Sequence, residues 1–250
     1  MNQKKIQIGI SSPTYNESKN IDKFIKNISR LNKYYSVCIC FVDDGSTDDT
    51  VEKIKSYKRL IKNIYLIERK KISKRTQVYS AYHAGLKYLF KNTDTAFYAQ
   101  IDSDNVCGFN DIKNSFDYLS KNNNIKFIKL SKYLNNSKDE RSIIRSILSK
   151  IYTKSCRYLF DSDISDYSTG IRFYSKDLLM KMINRNKSFL SPIGLLDDLL
   201  WIIRNKIKVI ELSFKINKRI HGNSFLNLKE FLLLSFEFVI CICKHKFKND

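Results

Sequence analysis

Glycine and proline are scarce, with seven and two residues in a chain of 250. That excludes collagen-like and linker-rich architectures. No apolar run approaches the ~20 residues of a membrane span. The opening MNQKKIQIGI lacks the apolar core and small-residue cleavage site of a secretory signal, so the chain is expected to stay in the cytoplasm. The cysteines Cys38, Cys40, Cys107, Cys156, Cys241 and Cys243 include two C-x-C pairs in apolar stretches, which match neither a C-x-x-C zinc site nor a redox motif. They read as small buried hydrophobes in a reducing compartment. Acidic residues fall far short of basic ones, 25 against 45, for a formal charge of +20. Such an excess points to an anionic partner: nucleic acid, a nucleotide-bearing substrate or an acidic membrane surface. With 43% apolar residues the chain can bury a core, and its length suits one large domain or one domain with an elaborated end.

Strand-length apolar segments at 6–10, 37–42, 64–67, 96–101 and 125–130 alternate with helical periodicity at 20–31, from DDGSTDD to about 57, and at 76–90. This alternation predicts a mostly parallel α/β sheet flanked by helices, whose ligands bind at the carboxyl ends of the strands. Farther on, 138–160 interleaves Ile143, Ile144, Ile147, Leu148, Ile151, Tyr152 and Leu159 with Arg141, Arg145, Lys150, Lys154 and Arg157, a basic amphipathic helix. Residues 231–243 are apolar apart from Ser235 and Glu237 and then turn basic. That stretch is too short to span a bilayer and reads as an interfacial or core-capping helix.

The loops at the strand ends carry the chemistry. Pro13-Thr14-Tyr15-Asn16-Glu17 offers an aromatic face for a base and a carboxylate for a ribose, or equally a helix entrance. Asp43-Asp44-Gly45-Ser46 places a carboxylate for a nucleobase N–H or ribose hydroxyl beside a glycine that lets backbone approach, or else forms a helix-capping turn. Asp102-Ser103-Asp104 follows an apolar strand and could hold Mg²⁺ or Mn²⁺ against a diphosphate. The same tripeptide at Asp161-Ser162-Asp163 follows the basic helix and reads as a solvated turn. His83, His221 and His245 show no metal spacing, and Trp201 reads as core.

As an ordered set, these three motifs resemble the family 2 glycosyltransferases, inverting enzymes of the GT-A (Rossmann-like) fold. The resemblance continues through Asp166-Tyr167-Ser168-Thr169-Gly170-Ile171-Arg172, Gly194-Leu195-Leu196-Asp197-Asp198, Glu211-Leu212-Ser213-Phe214 and Arg219-Ile220-His221-Gly222-Asn223-Ser224, which look like segments of the polyprenyl-phosphate, dolichyl-phosphate mannosyltransferase-like branch. It implies a GT-A domain over 1–225 and a C-terminal amphipathic, membrane-surface helix over 226–250. Pro13, Tyr15, Glu17 and Asp44, with Asp43 adjacent, would line the nucleoside pocket, and Asp102 and Asp104 would hold the divalent cation. Arg219 would grip phosphate, with Arg141 or Arg145 in a second phosphate-contacting position. Asp166 and Arg172 fall in the segment that also belongs to the site. The chain departs from the branch at Val106, Lys132, Phe225 and the glycine-free 70–77.

The implied reaction moves a sugar from a nucleotide-sugar donor to a lipid-phosphate or glycan acceptor, with peripheral contact at the inner face of a membrane and no nucleic acid partner. A sugar hydroxyl would need a general base, for which Asp197 or Asp198 stands ready; a lipid phosphate is already anionic and needs none. Plainer roles exist for four of these residues. Asp197 and Asp198 suit a helix first turn, Asp166 suits a turn, and the period-2 pattern around Arg172 suits a strand facing solvent. Other readings of the whole chain are a soluble enzyme that elongates a cell-surface glycan, a basic nucleic-acid-binding module and an inactive relative.

Overall fold

The computed structural model describes residues 5–69, 78–134, 143–216 and 228–247, with the side chains of 143–145 and 228–232 left aside. Its centre is a seven-stranded sheet in the order β3-β2-β1-β4-β6-β5-β7. The strands are β1 (Gln7–Thr14), β2 (Ser36–Asp43), β3 (Ile64–Glu68), β4 (Phe97–Gln100), β5 (Phe127–Ser131), β6 (Arg172–Ser175) and β7 (Val209–Ser213). Every pairing is parallel except those of β6, which runs antiparallel between β4 and β5. The expected GT-A-like α/β architecture is therefore present. The five sequence-predicted strands correspond to β1–β5, with edges shifted by a few residues.

Side chains alternate across the sheet, and each face buries its own layer. Ile8, Ile10, Ile39, Phe41, Ala99, Ile128 and Phe173 pack against α1 (Ser18–Ser29), α2 (Thr50–Leu60) and α4 (Phe109–Lys121). Cys38, Cys40, Val42, Tyr98, Phe127 and Tyr174 face the opposite layer of α3 (Val78–Asn92), α5 (Ile143–Phe160), α6 (Lys176–Ile183), α7 (Ile193–Arg204) and α8 (Leu228–Phe247). Both cysteines of the first C-x-C pair are free and buried, as are Cys107, Cys156 and Cys241; Cys243 is exposed.

Helix α3 lies directly on β1 because Gly85 has no side chain. A Cβ there would come within 2.2 Å of Ser11 Oγ, which donates to the Tyr82 carbonyl. Helix α8 is longer than the apolar stretch at 231–243 suggested, running 20 residues. Even so, no helix among the described residues is long and apolar enough to cross a membrane. One face of α8 is anchored: Glu237 accepts from Ser191, Phe238 meets Tyr152 with ring centroids 5.3 Å apart, and Cys241 is fully buried. The other face leaves Leu233, Phe236, Val239, Ile240 and Phe247 in solvent, and α5 likewise exposes Ile147, Leu148, Ile151 and Tyr158.

Candidate functional site

The carboxyl ends of β1, β2 and β4 meet in a set of interlocked loops. The Asp44 amide donates to the Thr14 carbonyl (3.0 Å) and Ser103 Oγ to the Pro13 carbonyl (2.9 Å), so the first loop sits between the other two. Asn16, with φ of 55°, is zipped to the second loop: its amide donates to Ser46 Oγ and its Oδ1 accepts from the Thr47 amide. Asn is among the few residues that tolerate this left-handed backbone.

Within this frame the two neighbouring aspartates divide their work. Asp43 is buried and satisfied inside its own turn, accepting from the amides of Gly45 (3.0 Å) and Ser46 (2.9 Å), from Ser46 Oγ and from Thr14 Oγ1. Its role is to shape the loop. Asp44 is partly exposed and gripped by Arg69, whose Nε donates at 2.6 Å; burial pushes the Asp44 carboxyl up against the pull of that guanidinium. Arg69 Nη1 also donates to Ser80 Oγ at 2.7 Å.

Ser80 lies on the first turn of α3, and that turn organises the rest. Tyr82 donates to Asp102, and Tyr79 donates to Asp198 Oδ2 at 2.9 Å. Burial, reinforced by these carboxylates, pushes both phenols far up, so they remain donors. Three consecutive faces of one helical turn thus hold Asp44 through Arg69, the DSD loop, and α7. Asp104 Oδ1 accepts from the Val106 amide at 3.1 Å. Asp102 and Asp104 therefore flank a serine docked on the first loop. Such a pair of hard oxygen donors suits Mg²⁺ or Mn²⁺ better than a softer ion.

Other residues expected at the site lie elsewhere or are fully engaged. Glu17 is buried and accepts from Asn20 Nδ2 at 2.5 Å, at the entrance of α1, while Tyr15 is half-buried and Pro13 is the next-to-last residue of β1. Asp166 is fully buried with its carboxylate on Lys132 Nζ, at 3.0 and 2.9 Å, and on Ser168 and Thr169. Burial would raise it, but Lys129 and Lys132 outweigh burial and hold it well below the usual carboxylate range. Arg172 does not face solvent. It is 0% exposed, opposite Gln100 and Lys129, because β6 is paired on both sides and covered by helices.

Asp197 and Asp198 do not sit in a helix first turn open to solvent; they are buried in the second turn of α7 and share Arg185 between them. Asp198 faces Tyr79, Lys187 (3.0 Å) and Arg185 (3.2 Å). Asp197 faces α8, accepting from Lys244 (2.7 Å), and is also paired with Arg185. Arg141 and Arg219 lie outside the described residues, as does the Arg145 side chain. The sequence reading missed Arg69, Tyr79, Tyr82, Arg185 and Lys187. Tyr79 and Tyr82 were visible only as an i, i+3 pair inside a predicted helix, and Arg69 as the first cation after a strand.

On the same edge, beyond β4, a cavity of about 1010 Å³ opens between the end of β5 and α5. Its lining includes Lys132, Lys150, Thr153, Lys154, Arg157 and Asp163. Lys150, Lys154 and Arg157 share one face of α5, at i, i+4 and i+7, and are exposed. Asp161 and Asp163, the second DSD tripeptide, are solvated at its rim as the sequence suggested.

The model of glycosyl transferase family 2 matches residues 10–183. Among solved structures, glucosyl-3-phosphoglycerate synthase from Mycobacterium tuberculosis in complex with phosphoglyceric acid superposes with a TM-score of 0.70 at 16% identity, covering 98% of this chain and 81% of that one. The same enzyme in complex with Mn²⁺, UDP-glucose and phosphoglyceric acid gives 0.68 at 18% identity, covering 98% and 81%. A mycobacterial protein gives 0.71 at 15% identity, covering 98% and 76%. No curated protein matches the chain in sequence. At these identities the structural likenesses speak for the fold.

Proposed function

The chain belongs to glycosyl transferase family 2, and on that premise we propose that it transfers a sugar, with inversion, from a nucleoside-diphosphate sugar to an anionic membrane-associated acceptor of the polyprenyl-phosphate kind. The observation that carries the acceptor half of this reading is the cation-lined cavity on the same edge as the DSD loop. A phosphate head group lodged there would meet Lys150, Lys154 and Arg157, and the exposed apolar faces of α5 and α8 would rest on the bilayer.

On the donor side, Asp44, positioned by Arg69, accepts from the nucleoside, and Tyr15 offers its ring to the base. Asp102 and Asp104 would hold Mg²⁺ or Mn²⁺, and Mn²⁺ accompanies UDP-glucose in the mycobacterial enzyme of the same fold. When bound, such an ion stabilises charge on the departing diphosphate. Tyr82 fixes the Asp102 carboxylate. Asp166 holds Lys132 at the end of β5, and Lys129 on the same strand is paired with Glu211 of β7. An anionic acceptor needs no proton removed, so Asp198, held by Tyr79 and Lys187, positions the transferred sugar.

The test is a panel of radiolabelled UDP-, GDP- and dTDP-sugars with polyprenyl phosphate and Mn²⁺ or Mg²⁺. One donor should give a metal-dependent product that partitions into organic solvent; no such product with any donor would overturn the lipid acceptor. A second reading, a soluble enzyme elongating a glycan, is favoured by the anchoring of α8 on α7 through Lys244 and His245. It requires Asp198 as base, so Asp198→Asn would abolish transfer rather than slow it, and the protein would stay at the bottom of a liposome flotation gradient.

A further inference from the structure

We propose that Cys241 and His245 of α8, together with Asp197 of α7, form a binding site for a zinc-class transition-metal ion that ties the C-terminal helix to the body of the protein. The three side chains offer one sulfur, one nitrogen and one oxygen, all within 4.8 Å of one another. A four-residue step puts Cys241 and His245 on one face of α8, toward α7. The His245 Nε2 to Asp197 Oδ1 separation is already 2.9 Å. Ligand atoms around a tetrahedral zinc, at about 2.0–2.3 Å from the ion, stand about 3.3–3.8 Å apart. The His245–Asp197 pair at 2.9 Å would open slightly, and any pair near the 4.8 Å limit would close by about an ångström.

The surroundings are those of a built site rather than a surface coincidence. Asp197 is 1% exposed, Cys241 0% and the His245 side chain 5%. His245 Nδ1 is buried with no hydrogen-bond partner, so one nitrogen of this imidazole is left uncommitted in the interior. Leaving such an atom unsatisfied costs free energy that a ligand would recover. The outer oxygen of Asp197, Oδ2, is held by Arg185, which itself stacks on Trp201 at 5.2 Å. A ligating carboxylate oriented by a second hydrogen-bonded group is the usual arrangement around bound metals.

Lys244 competes for Oδ1 at 2.7 Å, but its side chain is 28% exposed and can withdraw into solvent. The mixed S/N/O donor set selects zinc or cobalt over magnesium or calcium. Three protein ligands leave one position for water. The thiolate, not the thiol, is the form of Cys241 that would ligate a metal. Binding therefore replaces the thiol proton with the ion and releases that proton to solvent. This site is chemically distinct from the all-oxygen DSD pair and does not depend on the acceptor reading.

The test is titration of the full chain, stripped with chelator, with Co²⁺. A near-ultraviolet thiolate-to-cobalt charge-transfer band should grow to one equivalent and vanish when Zn²⁺ is added. Cys241→Ser should abolish the band, and His245→Gln, with unchanged circular dichroism, should weaken Co²⁺ binding at least about tenfold. Cys243→Ser, Cys107→Ser and Asp102→Asn should retain it. Absence of the band in the folded wild-type protein overturns the proposal. So does a band that survives Cys241→Ser or is lost in Cys243→Ser or Cys107→Ser.

Discussion

Gly194 is where the geometry of the acidic pair on α7 can be broken by a single carbon. A Cβ at this position would lie 2.2, 2.4 and 2.6 Å from three atoms of the Tyr79 ring. Comfortable carbon–carbon contact is about 3.5–4.0 Å, so ring and helix would have to part by more than an ångström. Tyr79 is 2% exposed and its hydroxyl is committed to Asp198 at 2.9 Å, so the ring has no free volume to enter. Overpacking of this kind costs about 1–3 kcal/mol. For a chain of this size each kcal/mol lowers Tm by about 2–4 °C, so Gly194→Ala should melt about 4–8 °C lower if the cost is about 2 kcal/mol. Urea unfolding should show a lower midpoint with an unchanged slope. The decisive arm is a double-mutant cycle with Tyr79→Ala. With the ring gone, alanine fills space and gains helix propensity, so Gly194→Ala should become stabilising by up to about 1 kcal/mol. An equal loss in both backgrounds would refute the steric argument. Glycosyl transfer by Gly194→Ala should fall while donor binding holds, because the Asp44–Arg69 contact lies on another face of α3.

Three further outcomes follow from the same structure. Asp102→Asn should abolish the metal-dependent thermal stabilisation given by the correct nucleotide-sugar, whereas Asp161→Asn should leave it intact, as differential scanning fluorimetry will show. Asp166→Asn leaves Lys132 buried with no opposing charge and should cost about 3–5 kcal/mol in urea unfolding. His83 is held at about 4 by burial and the nearby Lys187 charge, below the ordinary histidine value. The unfolded chain therefore takes up a proton that the folded chain refuses: stability is fully present above about pH 6.5 and declines toward pH 4, by no more than about 2 kcal/mol after solvent screening, a decline that His83→Gln removes.

The loops proposed to hold the donor stand out in the sequence because each closes an apolar strand, although a run such as Asp43-Asp44-Gly45-Ser46 serves a helix-capping turn equally well. Even there, the sequence could not say which aspartate would be consumed by the turn: only geometry separates Asp43, ringed by four donors, from Asp44, held by Arg69. Strand β6 escaped a firm reading because it is short and pairs antiparallel inside a parallel sheet. Arg172 therefore reads in the sequence as a site residue or as one facing solvent, and it is fully buried. Tyr79 and Tyr82 carry no motif at all. Their importance comes from the helix that Gly85 lets settle on β1. His245 was dismissed for want of metal spacing, although its partner Cys241 stands one helical turn away. The third member, Asp197, is distant in sequence and close only after folding.

The large positive charge acquires a location from the same comparison. Several cations near the donor edge and in the interior are matched: Arg69 by Asp44, Lys129 by Glu211, Lys132 by Asp166, Arg185 and Lys187 by Asp197 and Asp198. These pairs cancel at short range and project little field. Lys150, Lys154 and Arg157 have no carboxylate within ion-pair distance among the described residues, and they share a helix face beside exposed Ile147, Ile151 and Tyr158. Each basic side chain near an anionic surface contributes about 1 kcal/mol, so three give about 3 kcal/mol, comparable in kind to a weak, reversible anchor. Because these side chains stand in water, that attraction is screened beyond about 8 Å at physiological salt. Association with anionic vesicles must therefore weaken as salt rises, while the buried pairs that hold the donor site are hardly affected. Salt thus separates the two halves of the proposed reaction: it acts on the acceptor through α5 long before it reaches the donor through Arg69.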